Sequence, residues 1–124
     1  MRPAGILRDQ AAASAVEFAL TAPVFIMLVV GSIEFSLALW TQLGLQHGVE
    51  MAARCASINA VACGDMAAIQ SYAAQQSYGL DPPVSTFTVT TPSCGKQVSA
   101  AYPFPVVTSF IGSITISARA CFPA

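Results

Sequence analysis

The stretch "AAASAVEFALTAPVFIMLVVGSIEFSLALW", residues 11–40, decides the architecture of this chain. Its part from Ala22 to Trp40 contains 19 residues. As an α-helix that rises about 1.5 Å per residue, this part matches a hydrocarbon layer of about 30 Å. Between residues 18 and 49, Glu34 is the only Asp, Glu, Lys or Arg. The sequence therefore predicts a membrane-spanning helix that carries one carboxylate deep inside the span.

Basic residues around the span predict its orientation. Arg2 and Arg8 lie shortly before the span, and no further basic residue follows until Arg54. Because cytoplasmic flanks are enriched in Lys and Arg, we expect the N-terminus to lie in the cytoplasm. We therefore divide the chain into residues 1–12, a cytoplasmic basic leader; residues 13–43, a transmembrane helix; and residues 44–124, an extracytoplasmic domain.

A cleaved secretory signal is the competing interpretation of this stretch. The apolar core of such a signal has about 7–15 residues, and small residues at a cleavage site follow it. The core here is longer, and "TQLGLQH", residues 41–47, offers no small-x-small pattern. This alternative predicts a released soluble domain that starts near residue 45 or later.

Composition argues against several classes of function. The chain has 124 residues, of which 55% are hydrophobic and only 9% are charged, whereas soluble domains have about 25% charged residues. Five scattered Lys and Arg residues and a net charge of -1 give no basic patch for nucleic acid. A glycine-rich phosphate loop and the H-E-x-x-H and G-x-S-x-G motifs do not occur. We therefore expect a non-enzyme with no cofactor and no small-molecule substrate, and His47 as a polar residue just outside the membrane.

The carboxylates of Glu17 and Glu34 are the unusual groups of the apolar stretch. An acidic side chain near the middle of a lone span costs roughly 2.5–3.5 kcal/mol on insertion scales. Glu34 either is protonated or snorkels outward, or it faces a partner helix that the small residues in "GSIEFS" allow to approach closely. Taken alone, Glu17 is an interfacial charge near a helix N-terminus, where negative charge is favourable. The two carboxylates are about 25 Å apart on a helix, which excludes an acid–base pair.

The residues after the span predict an α+β domain. Leu45, Val49, Ala52 and Ala56 continue an amphipathic helix, and Asp65 is a plausible N-cap of a second, short helix. Beyond Pro83 the apolar period changes to two in three segments, which favours three antiparallel strands with one apolar face each. These segments are "VSTFTVTT", "KQVSAAY" and "SITISARAC". We expect this small three-stranded sheet to pack on the helix.

Four cysteines, Cys55, Cys63, Cys94 and Cys121, all fall in the part assigned to the exterior, where disulfides persist. Four cysteines allow three connectivities. If the strands form a meander, the last strand ends near the turn "PSCGK", which favours Cys94 with Cys121 and leaves Cys55 with Cys63. The second pair would be about 12 Å apart in an unbroken helix, so the helix must end or bend near Asn59. A zinc site is the rival interpretation, but no C-x-x-C spacing occurs.

The connection "PFPVVTSFIG", residues 103–112, is unusually apolar for a loop. It either folds back on the core or presents apolar side chains to a partner or to the bilayer surface, as exposed apolar patches often do. The candidate contact residues are Val106, Val107, Phe110 and Ile111.

Residues 8–55, "RDQAAASAVEFALTAPVFIMLVVGSIEFSLALWTQLGLQHGVEMAARC", resemble the TadE-like family, the pseudopilins of tight-adherence (Tad) pilus systems and relatives of type IV pilins. The pattern consists of a short basic leader, then "VEFAL", then Pro23, then "GSIEF" deep in the span. A looser similarity continues through "VSAAYPFPVVTSFIGSITISARAC". The resemblance implies a type IV pilin-like fold, in which a small sheet covers the outer half of a long N-terminal helix.

The resemblance also implies a processing site and a role for the carboxylates. In the family a prepilin peptidase removes the leader, usually after a glycine, so that the Glu of "VEF" becomes the fifth residue. Here the cut would fall between Ala12 and Ala13, with alanine in place of glycine. Glu17, followed by Phe18, and Glu34 then look like subunit-docking groups that meet neighbouring helices.

Two functions follow as expectations. The first is a minor pilin or pseudopilin that helps to initiate, cap or stabilise a Tad-type adhesion pilus. Its implied partners are other pilins, the inner-membrane assembly platform, prepilin peptidase and membrane lipid. The implied location is the bacterial inner membrane, crossed once, with the C-terminal domain in the periplasm, or in an extracellular pilus. The alternative is a membrane-anchored periplasmic adaptor or binding module that never enters a filament.

Overall fold

The structure, a computed structural model, describes residues 5–107 and 112–124 of the chain. Two α-helices come first, α1 (Gly5–Ile58) and α2 (Met66–Gln75), followed by a short 3-10 helix (Val84–Thr86). Three strands then follow, β1 (Phe87–Thr90), β2 (Lys96–Phe104) and β3 (Ile114–Phe122). The strands form one antiparallel sheet in the order β1-β2-β3. The predicted α+β layout of a long helix, a short helix and a three-stranded sheet is confirmed.

The chain forms two compact units, one up to Phe35 and one from Ser36 to Ala124. The first unit is the N-terminal part of α1, which is long and apolar enough to cross a membrane by length and composition. Pro23 lies inside this helix. Proline removes one backbone hydrogen bond, a defect that spanning helices tolerate. Among the residues that the structure describes, no other helix passes this test for a span.

The second unit covers one side of α1 from Thr41 onward, whereas Leu43 is exposed. Thr41 and Leu45 are buried, as is Gly44 between them. The predicted boundary after residue 43 stays a prediction.

The α1 helix ends where Asn59 turns the chain back. The Asn59 backbone N–H still donates to the Cys55 carbonyl at 2.9 Å, but the Asn59 side-chain oxygen accepts the Ala62 N–H at 3.1 Å. Such side-chain bonds to the backbone compete with helix continuation. The reversal brings the Cα atoms of Cys55 and Cys63 to 5.8 Å, and the two residues form a disulfide. Asp65 then caps α2 by accepting the Ala68 N–H at 2.7 Å, as its position predicted.

The sheet buries one face, which is the face that the period of two predicted. Phe87 of β1 lies opposite Ala100 of β2, and Ala100 lies opposite Ala118 of β3. All three are buried together with residues of α1 in one hydrophobic core. The buried residues of α1 in this core are Leu45, Val49, Ala52, Ala53 and Cys55.

Two hydrogen bonds from α1 side chains fix the direction of β3. The Gln42 side chain donates to the Ser117 carbonyl at 3.1 Å, and the Ser57 hydroxyl donates to the Phe122 carbonyl at 3.3 Å. These bonds tie β3 to α1 at two points. Because residue numbers rise together along both elements, β3 runs in the same direction as α1. The end of the β2–β3 hairpin at Phe104 and Ile114 therefore lies at the end of the unit where Ser36 begins.

Two glycines one helical turn apart let α1 approach the end of α2. A Cβ atom on Gly44 would lie 2.5 Å from Leu80 Cδ1 and 2.9 Å from the Ser77 carbonyl oxygen. A Cβ atom on Gly48 would meet Ser77 Oγ and lie 2.7 Å from the Ala73 carbonyl oxygen. Ser77 is fully buried, and its hydroxyl donates to that same Ala73 carbonyl at 2.8 Å. Only glycine leaves room for this contact.

We expect Gly48→Ala to lower the free energy of unfolding of the unit 36–124 by about 1–3 kcal/mol, because overpacking against backbone cannot relax cheaply. Urea unfolding in detergent micelles, followed by near-ultraviolet circular dichroism, measures this quantity. Gly31→Ala is the matched control, since a Cβ atom at Gly31 meets nothing within 4 Å. Equal stability of the two variants would contradict the close contact.

Candidate functional site

The candidate site is the exposed part of α1, which we define as the helix surface from Gln10 to Phe35. Its large apolar side chains are exposed on consecutive positions, so they cover every side of the helix. A helix that is apolar all round needs lipid or protein around it. These exposed residues are Val16, Phe18, Leu20, Val24, Phe25, Ile26, Met27, Leu28, Val29, Ile33 and Phe35.

The hydroxyl groups of this surface are satisfied within the helix. Ser14 donates to the Gln10 carbonyl at 2.7 Å, Thr21 donates to the Glu17 carbonyl at 3.0 Å, and Ser32 donates to the Leu28 carbonyl at 2.7 Å. Each bond reaches back four residues, which is the usual way for Ser and Thr to be accommodated in a helix. These groups need no partner from outside, as a hydrocarbon surrounding requires.

The carboxylate of Glu17 is a different case. Glu17 is exposed, and none of the described residues donates a hydrogen bond to its carboxylate. Phe18 beside it is 73% exposed, while Glu34 is half-buried. Glu34 follows Glu17 by 17 residues. At about 100° per residue, this offset places the two acids about 100° apart around the helix axis. One straight neighbouring helix therefore cannot face both acids.

His47 lies in the second unit and has a structural environment. Its Nδ1 atom is 2.8 Å from the Gln76 carbonyl oxygen. Because a carbonyl only accepts, Nδ1 carries the proton and donates it to this bond. The ring also stacks on Tyr78, with ring centroids 4.4 Å apart and an angle of 21° between the planes. His47 thus ties α1 to the turn that follows α2, and these partners account for its position without catalysis.

The disulfides are Cys55–Cys63 and Cys94–Cys121. The first closes the reversal at the end of α1, and the second joins the turn before β2 to the end of β3, with Cα atoms 6.3 Å apart. These pairings are the ones that the meander favoured. No group of three or more His, Cys, Asp or Glu side chains suited to a metal ion occurs in the described ranges.

The predicted contact loop is only partly described. Val107 is 84% exposed, and Val106 is half-buried. Phe110 and Ile111 lie outside the described residues. The role of this loop stays a prediction.

Comparison with known proteins bears on the first half of the chain. Residues 12–54 match the family model of the TadE-like proteins. This TadE-like segment, residues 12–54, contains Glu17, Phe18 and Glu34, and the match confirms the resemblance on which their predicted roles rest. It covers residues 12–35 of the exposed part of α1 and continues to Arg54, next to the first disulfide. No curated protein and no solved structure gives a significant match.

Sequence reasoning missed two features around the TadE-like segment. The Gly44-x-x-x-Gly48 spacing was a readable signal of close helix packing, but nothing local identified its partner as the turn at Ser77. The stacking of Tyr78 on His47 had no signal at all, because the two residues are far apart in the sequence. Both features depend on how α2 folds back on α1.

We expect His47→Ala to lower the free energy of unfolding of the unit 36–124 by about 1–3 kcal/mol, because the Gln76 carbonyl loses its donor. His47→Phe keeps the aromatic contact, which is worth about 0.5–1.5 kcal/mol, and should be affected less than the alanine variant. Thermal unfolding in micelles measures both, with the exposed Arg54→Ala as control. If the alanine variant is as stable as the control, His47 has no such structural role.

Proposed function

We propose that this chain is a TadE-like minor pilin or pseudopilin that takes part in the assembly of a Tad-type adhesion pilus. It would initiate, cap or stabilise the pilus by packing α1 against the helices of other subunits. The single observation that carries the proposal is the exposed part of α1, apolar on every side and matched by the TadE-like family over residues 12–54. A structural role of this kind requires no catalysis.

Glu17 supplies the first docking contact in this proposal. Removal of the leader between Ala12 and Ala13 creates a positive α-ammonium group at Ala13. A charge buried among helices without a partner costs several kcal/mol. An opposite charge about 4 Å away returns about 4 kcal/mol at an effective dielectric constant of about 20. The exposed Glu17 carboxylate of a neighbouring subunit is the group proposed to meet this ammonium.

Glu34 supplies a second contact on another side of the helix. Its carboxylate lies deep in the apolar segment, where a charge costs roughly 2.5–3.5 kcal/mol on insertion scales. Gly31 leaves its surroundings open, since a Cβ atom there would have nothing within 4 Å, so another helix can come close. Because Glu17 and Glu34 point about 100° apart, they would engage two different neighbours.

The proposal includes a location and a set of partners. The N-terminal flank lies in the cytoplasm, α1 crosses the bacterial inner membrane once, and the disulfide-bonded unit lies in the periplasm or on an extracellular pilus. The partners are other pilins or pseudopilins, the inner-membrane assembly platform, prepilin peptidase and membrane lipid. The two disulfides fit such an oxidising compartment.

A membrane-anchored periplasmic adaptor is the alternative function. It is favoured by Ala12, which stands where the family usually has the glycine that precedes the cut. An adaptor would keep its leader and would use α1 as an anchor only. Glu17 would then be an ordinary interfacial charge.

We expect Glu17→Gln to reduce co-isolation of this chain with other pilus subunits at least tenfold, which corresponds to about 1.4 kcal/mol, while membrane insertion is unchanged. Glu50→Gln is the matched control, because Glu50 lies on the same helix outside the span and is bonded to Gln46 at 2.7 Å. Crosslinking followed by pull-down from detergent-solubilised membranes gives the readout. Equal recovery of pilus subunits with the Glu17→Gln and Glu50→Gln variants would contradict the docking role of Glu17.

The start of the mature chain separates the pilin from the adaptor. We expect the chain purified from cells to begin at Ala13, and Ala12→Gly to increase the cleaved fraction, because that change restores the residue the peptidase usually meets. Intact-mass spectrometry and N-terminal sequencing measure both. An uncut chain that starts at Met1 would favour the adaptor.

A further inference from the structure

The end of the second unit at which Ser36 lies carries a cluster of exposed aromatic and apolar side chains. Trp40 is 56% exposed and Tyr78 is 53% exposed, and their ring centroids are 6.3 Å apart. Leu43, on the same side of α1 as Trp40 and His47 by its spacing of three and four, is also exposed. An exposed group of this kind marks an interaction surface.

Tyr78 is held in this position by its surroundings. Its φ angle is 48°, in the left-handed region that bulky residues rarely adopt. Gly79 after it has a φ of 74°, and the Ser77 carbonyl before it accepts the Leu80 N–H at 3.1 Å. The ring rests on His47, which is itself fixed by its bond to Gln76. The turn thus presents the phenol next to the indole of Trp40 instead of burying it.

The β2–β3 hairpin ends at the same end of the unit. Beyond Ala100, β2 pairs only with β3, so Phe104 and Ile114 form the last pair of a two-stranded extension. Ile114 is 43% exposed, although it lies on the apolar face of the sheet. Val107 follows shortly after Phe104 and is almost fully exposed. The hairpin therefore adds the exposed side chains of Ile114 and Val107 to the end of the unit that carries Trp40 and Tyr78.

Charged residues are concentrated elsewhere in the unit. None occurs from Ser36 to Val49, and none occurs from residue 97 to residue 118. Lys96 lies opposite Phe122, at the far end of the sheet. Asp81 is the charged residue closest in sequence to Tyr78. Asp81 is exposed, and its carboxylate is compatible with hydrated lipid headgroups.

We infer that this end of the unit is a lipid-facing surface that rests on the headgroup layer of the bilayer, with Trp40 and Tyr78 as its anchors. Trp and Tyr prefer the membrane–water interface, where their apolar rings and polar tips are both accommodated. The occupant follows from continuity, because the chain that enters this end at Ser36 is the apolar stretch proposed to cross the membrane. This inference rests on that proposed crossing of α1. It holds the unit against the membrane before any assembly partner is met.

The full chain in phosphatidylcholine nanodiscs, loaded at one chain per disc, tests the inference. Trp40 is the only tryptophan, so its quenching by lipids that carry a nitroxide on the headgroup reports whether the end of the proposed span lies at the headgroup layer. In the double variant Trp40→Phe, Tyr78→Trp, the new indole reports the turn. We expect it to lose about half of its emission with headgroup nitroxide, as an interfacial indole should. Trp40→Phe, Phe122→Trp is the matched control at the other end of β3 and should lose little.

The outcomes separate the inference from the crossing on which it rests. Absence of quenching at Trp40 would mean that this end of α1 does not lie at the headgroup layer, which would overturn the inference and would contradict the proposed crossing. Quenching at Trp40 without quenching at position 78 would overturn the lipid-facing surface alone. Shielding of position 78 from aqueous iodide only in discs with two chains would identify a second copy as the occupant and would also overturn it.

A measurement on the unaltered chain guards against variants that misfold. Headgroup nitroxide should broaden the NMR signals of the backbone amides of Tyr78, Gly79 and Phe104 more than those of Ile58 and Val61. Equal broadening in the two groups would overturn the inference, whatever the variants show.

Discussion

The structure depends on one constraint: the same continuous helix, α1, is exposed in its first part and packed against protein in its second part. From Gln10 to Phe35 the described side chains of α1 are exposed or half-buried, and from Thr41 onward α1 is the central element of a folded unit. Its backbone is satisfied throughout by helical hydrogen bonds, so the side chains decide what each part contacts. Gly44 and Gly48 mark the start of the protein cover, because they let the end of α2 come into backbone contact with α1. Large apolar residues before them leave the first part of the helix to lipid or to other helices.

The family resemblance and the packed core concern different parts of the chain. The TadE-like segment, residues 12–54, covers the helix that needs neighbours. The rest of the unit stabilises the outer half of that helix through one small core, two disulfides and the sheet. In the proposed topology, such a plan would supply a stable platform outside the membrane and an exposed helix inside it. The proposed role as an assembly subunit requires both.

Much of the fold was predictable from local patterns, and the rest was not. The period of two indicated the three strands and their buried face, and Asp65 indicated the start of α2, because both depend on nearby residues alone. The reversal at Asn59 followed from the cysteine spacing. The start of the protein cover near Thr41 was not predictable, since the packing of Gly44 and Gly48 on Ser77 depends on contacts between residues far apart in the sequence. For the same reason, the contacts of His47 with Gln76 and Tyr78 could not be predicted from the sequence. For the site, the carboxylates were visible as anomalies in an apolar run, but which neighbours they meet is a property of the assembly.

The central claim is that protein helices, and not lipid alone, surround the exposed part of α1 in cells. Photo-crosslinking tests it most directly, with p-benzoylphenylalanine placed at Phe25, an exposed position in the middle of the span. The account predicts ultraviolet-dependent adducts with other pilus subunits at Phe25 and none at Phe122, the control position at the end of β3. Adducts with lipid only, in cells that assemble the pilus, would contradict it.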